Sequence, residues 1–137
     1  MIHLLSRLRR FVGLRLLAAA LLAAASAGAH ALEVAPYNAE AFAKLQAEGK
    51  PVALHFHADW CGTCNEQEKA LKSLGSDRAL ERMKVLVVDY DRAKDLRRKL
   101  KVTSQSVFVV YRGAVEVARE GGQTQSDAIR QLLSRAL

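Results

Sequence analysis

The chain has 137 residues, half of them hydrophobic, and a formal net charge of +7. That length accommodates one small domain with a single core and excludes two. The basic excess raises the question of an anionic partner, but more than half of it lies in the first 15 residues, where Arg7, Arg9, Arg10 and Arg15 precede any acidic side chain.

Those arginines are followed by a Leu/Ala run from Leu16 to Ala27 and by small residues ending in Ala29-His30-Ala31. A positive start, an apolar stretch and an A-x-A site are the three parts of a secretory signal peptide, so residues 1–31 are read as a leader cleaved after Ala31. The alternative, an uncleaved anchor, needs about 20 apolar residues, and this run is shorter. The Arg9-Arg10 pair reads as leader charge rather than a twin-arginine signal. What remains, residues 32–137, carries 17 basic and 14 acidic side chains, a net charge of +3. Its local cluster, Arg97, Arg98, Lys99 and Lys101, has no interleaved aromatics for base stacking and reads as a solvated helix face, so nucleic acid is set aside.

Along residues 32–137, Leu32 to Tyr37 reads as an extended lead-in, with Pro36 disfavouring helix before it. Asn38 is placed to cap a helix whose apolar positions are Ala41, Phe42 and Leu45, and Gly49-Lys50-Pro51 stops it. Val52 to His57 reads as a strand with Ala53, His55 and His57 on one face and Val52, Leu54 and Phe56 on the other. Both faces look buried, as in a central strand covered by helices. From Gly62 to Leu74 the spacing of Cys64, Gln67, Glu68, Leu71 and Leu74 predicts a helix with a mixed face, ended by Gly75. Ser76 is expected to cap a short piece through Leu80 to Met83. Val85 to Val88 is a second strand, Arg92 to Leu100 a helix with Leu96 and Leu100 inward. Val107–Tyr111 and Val115–Ala118 form a hairpin around Gly113. After Gly121-Gly122, Thr124 with Asp127 offers a capping box for a last helix carrying Ile129, Leu132 and Leu133. Strands joined first through helices and then by a hairpin imply an α/β fold with a mixed central sheet and helices on both faces.

Both cysteines, Cys61 and Cys64, lie between the first long strand and the helix after it. In an exported domain two cysteines usually form a structural disulfide. A bridge across two intervening residues, however, closes a very small loop and removes little unfolded-state entropy. It is a poor staple and a well-placed redox pair.

Ala58-Asp59-Trp60-Cys61-Gly62-Thr63-Cys64, set after a central strand and before a helix, together with the element order and the closing hairpin with Gly113 and then Gly122, resembles the thioredoxin family from about Tyr37 onward. The A-D-W-C form behind a leader is most similar to exported bacterial thioredoxin-like proteins, including periplasmic domains of transmembrane reductant carriers. The resemblance implies a thioredoxin-like fold and a periplasmic thiol-disulfide oxidoreductase, acting on protein thiols and disulfides without a cofactor, with a membrane electron donor among the partners it allows and the direction, reducing, oxidising or isomerising, left open. Two positions depart from the family pattern. Its cis-proline is replaced in Gln105-Ser106-Val107 by Ser106, for which a trans bond is expected because a non-proline cis bond costs about 2.5–4 kcal/mol. Its buried acidic residue is replaced by His55. Thr63 also replaces the proline common in strongly reducing members, so their potential is not carried over.

A thiolate is the nucleophile in disulfide exchange. Cys61, at the start of a helix, is placed where unpaired N–H groups and the helix dipole favour negative charge. It is read as the attacking thiol and Cys64, one turn on and more shielded, as the resolving thiol. Two readings of His55 stand side by side: acceptor of the Cys64 proton, or a hydrogen-bonded core histidine. His57 is placed nearer the rim. Trp60, Gln105 and Ser106 are the candidate substrate-contacting residues, and Asp59 is expected to be solvated.

A rival from another class uses His55, His57, Cys61 and Cys64 as a His2Cys2 set for zinc or copper. Ser106 favours it by removing the proline that would crowd the cysteines; strand and helix positions that do not converge tetrahedrally count against it. A third reading, a silent interaction domain on the same fold, sits poorly with two retained cysteines. No second domain supplies dimerisation, so a monomer is expected.

Overall fold

The computed structural model describes residues 32–137, and the expected leader at residues 1–31 lies outside them. The order of elements is β1 (Glu33–Pro36), α1 (Ala39–Ala47), β2 (Pro51–His57), α2 (Gly62–Ser73), a 3-10 turn (Arg78–Leu80), β3 (Lys84–Asp89), α3 (Lys94–Leu100), β4 (Val107–Arg112), β5 (Val115–Gly121) and α4 (Ser126–Ser134). Five strands make one mixed sheet in the order β1-β3-β2-β4-β5. β2 pairs parallel with β3 through the α2 crossover and antiparallel with β4, and β4 and β5 form the hairpin. The expected mixed sheet with helices on both faces is thus the observed one.

β2 is the centre of the molecule because both of its faces are apolar. Pro51 to Phe56 are all buried, and each large apolar side chain removed from water contributes about 1.5–3 kcal/mol. Ala53 joins Leu71, Val85, Phe108, Val110, Ile129 and Leu133 under α2 and α4. Val52, Leu54 and Phe56 pack on the other side with Phe42, Leu86, Val88 and Val109, beneath α1 and α3. The alternation expected from the sequence therefore separates two cores. Leu96 and Leu100 pack on the second as expected.

The lead-in is more ordered than a lead-in need be: β1 adds a parallel edge to β3, with Val34 opposite Val85. Pro36 is tolerated there because it ends an edge strand. Two caps differ from expectation. Asp77 rather than Ser76 caps the 3-10 turn, its carboxylate accepting from the Ala79 N–H at 2.9 Å and from Arg130 Nε of α4 at 2.5 Å. α4 begins after Gln125 and has no side-chain cap, so Thr124 sits one residue too early for the expected capping box. The Asn38 cap holds, with Oδ1 accepting from the Ala41 N–H at 2.9 Å.

The hairpin turn needs its glycine. Gly113 has φ +58°, and a Cβ there would lie 3.0 Å from Gly49 Cα and 3.2 Å from the Gln46 carbonyl. Its N–H also donates to the Lys50 carbonyl at 3.0 Å, which seats the hairpin on the loop that feeds β2. The start of β2 and the end of β4 are thereby fixed relative to each other; at the opposite end of this pair, the segment that follows β2 and the loop that precedes β4 build the site.

Candidate active site

The chain leaves β2 through Ala58-Asp59-Trp60 and enters α2 at Cys61, whose N–H donates to the Ala58 carbonyl at 3.0 Å. Cys61 is the N-cap of α2: its backbone is extended and its Sγ accepts from the Cys64 N–H at 3.1 Å. Sulfur occupies the place where a serine or aspartate oxygen would satisfy the helix's free N–H groups. The expectation that the helix start favours negative charge on Cys61 thus has a specific donor behind it. Cys61 and Cys64 are joined in a disulfide with Cα atoms 5.2 Å apart, within the span of such bridges. Cys64 is fully buried and Cys61 is 5% exposed.

Across the pair stands Ser106. Its Oγ lies 3.1 Å from Cys61 Sγ and 3.2 Å from Cys64 Sγ; neither sulfur of a disulfide carries hydrogen, so the hydroxyl is the donor. No peptide bond among the described residues is cis, and the Gln105–Ser106 bond is trans as expected. The backbone departs from the ordinary at the next torsion, with φ +63° at Ser106, a left-handed conformation that non-glycine residues rarely adopt. It is held by its neighbours: the Ser106 N–H donates to the Phe56 carbonyl at 2.9 Å, and its carbonyl accepts from the Gly122 N–H at 3.0 Å. Tyr90 Oη pins the preceding loop by donating to the Thr103 carbonyl.

A buried polar chain supports this arrangement from behind. His55 is 1% exposed, stacked on Phe108 at 4.4 Å, and its Nε2 is 2.9 Å from Gln67 Oε1. Gln67 is fully buried, and its Nε2 donates to the carbonyls of Ser106 at 3.0 Å and Gln123 at 2.9 Å. With the amide nitrogen spent on two carbonyls, Oε1 faces the histidine and Nε2–H of His55 is the donor. Burial pushes the His55 pKa down to about 4, against a weaker opposing effect of the Gln67 hydrogen bond. The imidazole is therefore neutral at pH 7. It makes no hydrogen bond to either sulfur, so a proton-accepting role has no direct contact to run through. Gln67 is the residue that sequence reasoning left among the helix positions. Its signal was an amide on the buried stripe one turn beyond Cys64, below a histidine in a central strand.

The remaining candidates sit around the rim. Trp60 is 64% exposed, and its Nε1 donates to Asp91 Oδ2 at 2.8 Å, so its ring is held beside Cys61 with an apolar face outward. It walls a cleft of about 500 Å³ shared with Pro36, His57, Asp59 and Arg92. Asp59 is solvated, as expected. Gln105 is half-buried next to Ser106 and makes no side-chain hydrogen bond among the described residues. The four side chains of the alternative His2Cys2 set do not come together. His55 Nε2 is turned to Gln67, His57 lies 3.7 Å from Asp59 Oδ1 and 3.9 Å from Glu68 Oε2, and the sulfurs face Ser106. No three His, Cys, Asp or Glu side chains among the described residues converge on one point. β2 carries both histidines toward α2's flank, while the sulfurs sit at its tip.

Comparison with known proteins agrees with this geometry. Residues 33–135 match the family profile described as Thioredoxin. Thioredoxin-1 of Drosophila yakuba is 34% identical over 76 residues, which are 56% of this chain and 70% of that protein. The crystal structure of Trxlp from Edwardsiella tarda EIB202 is 36% identical, with TM-score 0.70, covering 74% of this chain and 98% of that one. Thioredoxin from Trypanosoma brucei brucei, 22% identical with TM-score 0.64 over 78% of this chain and 92% of its own, shares the fold. A strand-tip Cys61 capping a helix, its partner Cys64 one turn on, and a family match spanning nearly all the described residues place this chain in the thioredoxin family of thiol-disulfide oxidoreductases.

Proposed function

We propose that the chain works as an exported, periplasmic thiol-disulfide oxidoreductase that passes electron pairs between Cys61/Cys64 and the thiols and disulfides of partner proteins, a membrane donor supplying them if it works as a reductase. The observation that carries the chemistry is Cys61 Sγ at the N-terminus of α2, bonded to the Cys64 N–H and to the Ser106 hydroxyl. In the reducing direction the Cys61 thiolate attacks a partner disulfide, forming a mixed disulfide and releasing one partner thiolate. Cys64 then attacks Cys61 Sγ, forming the intramolecular bridge and releasing the second. The partner loses one disulfide and the chain gains one, with two electrons transferred. The held Trp60 ring offers the partner an apolar surface beside the nucleophile.

Export is supported by the composition of residues 1–31, an arginine-bearing start, a Leu/Ala run and Ala29-His30-Ala31. The test is capture in the cell. A Cys64→Ala variant, which cannot resolve, is expected to accumulate mixed disulfides on Cys61 in the periplasmic fraction, in a form whose N-terminus is Leu32. The redox state of the wild-type pair there gives the direction: a reduced pair marks a reductase fed by the membrane, an oxidised pair an oxidant. A cytoplasmic protein that retains residues 1–31 and captures nothing would contradict the proposal.

A further inference from the structure

Outside the cysteines the molecule carries a solvated basic face on α3, where Arg98 pairs with Asp95 and Arg97 lies over Tyr90, and the rim around His57. Neither points to a ligand. The group that does is the hydroxyl between the sulfurs. Cys64 Sγ is fully buried, and Ser106 Oγ is its one hydrogen-bonding partner among the described residues. Cys61 has the helix N–H as well. During resolution Cys64 must carry negative charge in a place closed to water, where an ion without a donor is strongly disfavoured.

We propose that Ser106 is a catalytic residue: its hydroxyl donates a hydrogen bond to whichever sulfur carries the charge, Cys61 before attack and Cys64 during resolution. Three features support this. Oγ is nearly equidistant from the two sulfurs, so rotation about one bond transfers the donor between them. The residue is buried, so the hydroxyl does not exchange its partner for solvent. Its left-handed backbone is kept in place by the Phe56 carbonyl, the Gly122 N–H and the Gln67 amide, and strain maintained by surrounding contacts is characteristic of working sites. His55 and Gln67 then act as positioning residues: they hold the Ser106 carbonyl and leave its side chain to the sulfurs.

The proton and electron balance follows. The Cys61 thiolate, bonded to the Ser106 hydroxyl, attacks a partner disulfide; a bond forms from Cys61 Sγ to the near sulfur and the far sulfur leaves as a thiolate. That thiolate takes the Cys64 thiol proton. The Ser106 hydroxyl turns to the new Cys64 thiolate, which attacks Cys61 Sγ and expels the second partner thiolate. The hydroxyl keeps its own proton throughout.

The proposal rests on the oxidoreductase reading, and its test has a readout independent of turnover. Ser106→Gly accepts a φ of +63° more readily than serine and removes the hydroxyl; Ser106→Ala serves as a second variant. In the reduced protein the pH profile of Cys61 alkylation is expected to move up by about one unit, a roughly tenfold smaller thiolate fraction near neutrality. The pre-formed mixed disulfide of the glycine variant is expected to resolve roughly tenfold more slowly, with thermal stability equal to or above wild type. A folded glycine variant whose alkylation profile and resolution rate match wild type would overturn the role of Ser106. A wild-type protein that neither reduces protein disulfides nor oxidises protein thiols would instead overturn the functional reading, and the alkylation profile would still decide the hydroxyl's part.

Discussion

His55 shows how a single buried residue links the site to stability. In the unfolded chain a histidine titrates near pH 6.5, whereas burial holds this one at about 4 in the folded protein. Between those values the unfolded state binds a proton that the native state refuses, so the contribution is fully present above pH 6.5 and is lost progressively as pH falls toward 4. A difference of this size corresponds to about 3 kcal/mol. Stability measured by denaturant unfolding is expected to fall across that window in wild type. In His55→Asn, which keeps an N–H donor for Gln67 and cannot take up a proton there, that portion of the slope is expected to disappear, whatever the variant's absolute stability. An equal slope in both proteins would mean that His55 is already protonated when folded. Residues such as Cys61, Cys64 and Trp60 were legible because their motif is local and chemically specific. Gln67 was not, because its three partners lie 12, 39 and 56 residues away in the chain. Nor was the restraint on Trp60, whose partner Asp91 is 31 residues distant.

Among the elements, the strands and helices were legible wherever an apolar run or stripe had punctuation at its ends. β2 and β3 are nearly continuous apolar runs, and α1 has its Asn38 cap. What the sequence did not mark are the backbone conformations that place the site without a glycine to announce them. Ser106 is one; Lys101 is the other, with φ +54° at the C-terminal end of α3. There its N–H and that of Val102 close the helix on the carbonyls of Arg98 and Arg97, a stop normally made by glycine. Because the Lys101 side chain is exposed, Lys101→Gly removes the left-handed cost without losing packing. The variant is expected to be more stable by about 1 kcal/mol, net of the larger unfolded-state entropy of glycine. Thermal melting reads this as a rise of roughly 4 °C for a domain of this size. A fall in melting temperature would show that Lys101 itself contributes contacts. The same loop leads to Thr103 and Ser106, so the alkylation profile of Cys61 in this variant reports whether the stop at Lys101 also positions the hydroxyl.

At the scale of the whole molecule, two cores on opposite faces of one sheet hold the tip of β2, the start of α2 and the loop before β4 against one another. The sheet provides the rigidity; the chemistry is confined to a few side chains at one end of it. Sequence reasoning recovered that division because the order of elements and the Trp-Cys-x-x-Cys stretch point to the same architecture. It placed Ser106 beside the cysteines only through the family resemblance, and not the bonds from its hydroxyl to both sulfurs, since a hydroxyl 45 residues from Cys61 meets the pair only once β2 and β4 are paired. The central claim is that Cys61 and Cys64 form a reversible two-electron couple acting on protein disulfides. Its most direct measurement equilibrates residues 32–137 with graded thiol/disulfide buffers, quantifies the reduced pair, and then presents the reduced protein with a protein disulfide. The predicted result is a single transition with a slope of about 30 mV per tenfold change in ratio, and loss of one partner disulfide for each pair oxidised. A pair that stays oxidised across the reducing range, or that titrates but leaves the partner disulfide intact, would contradict it.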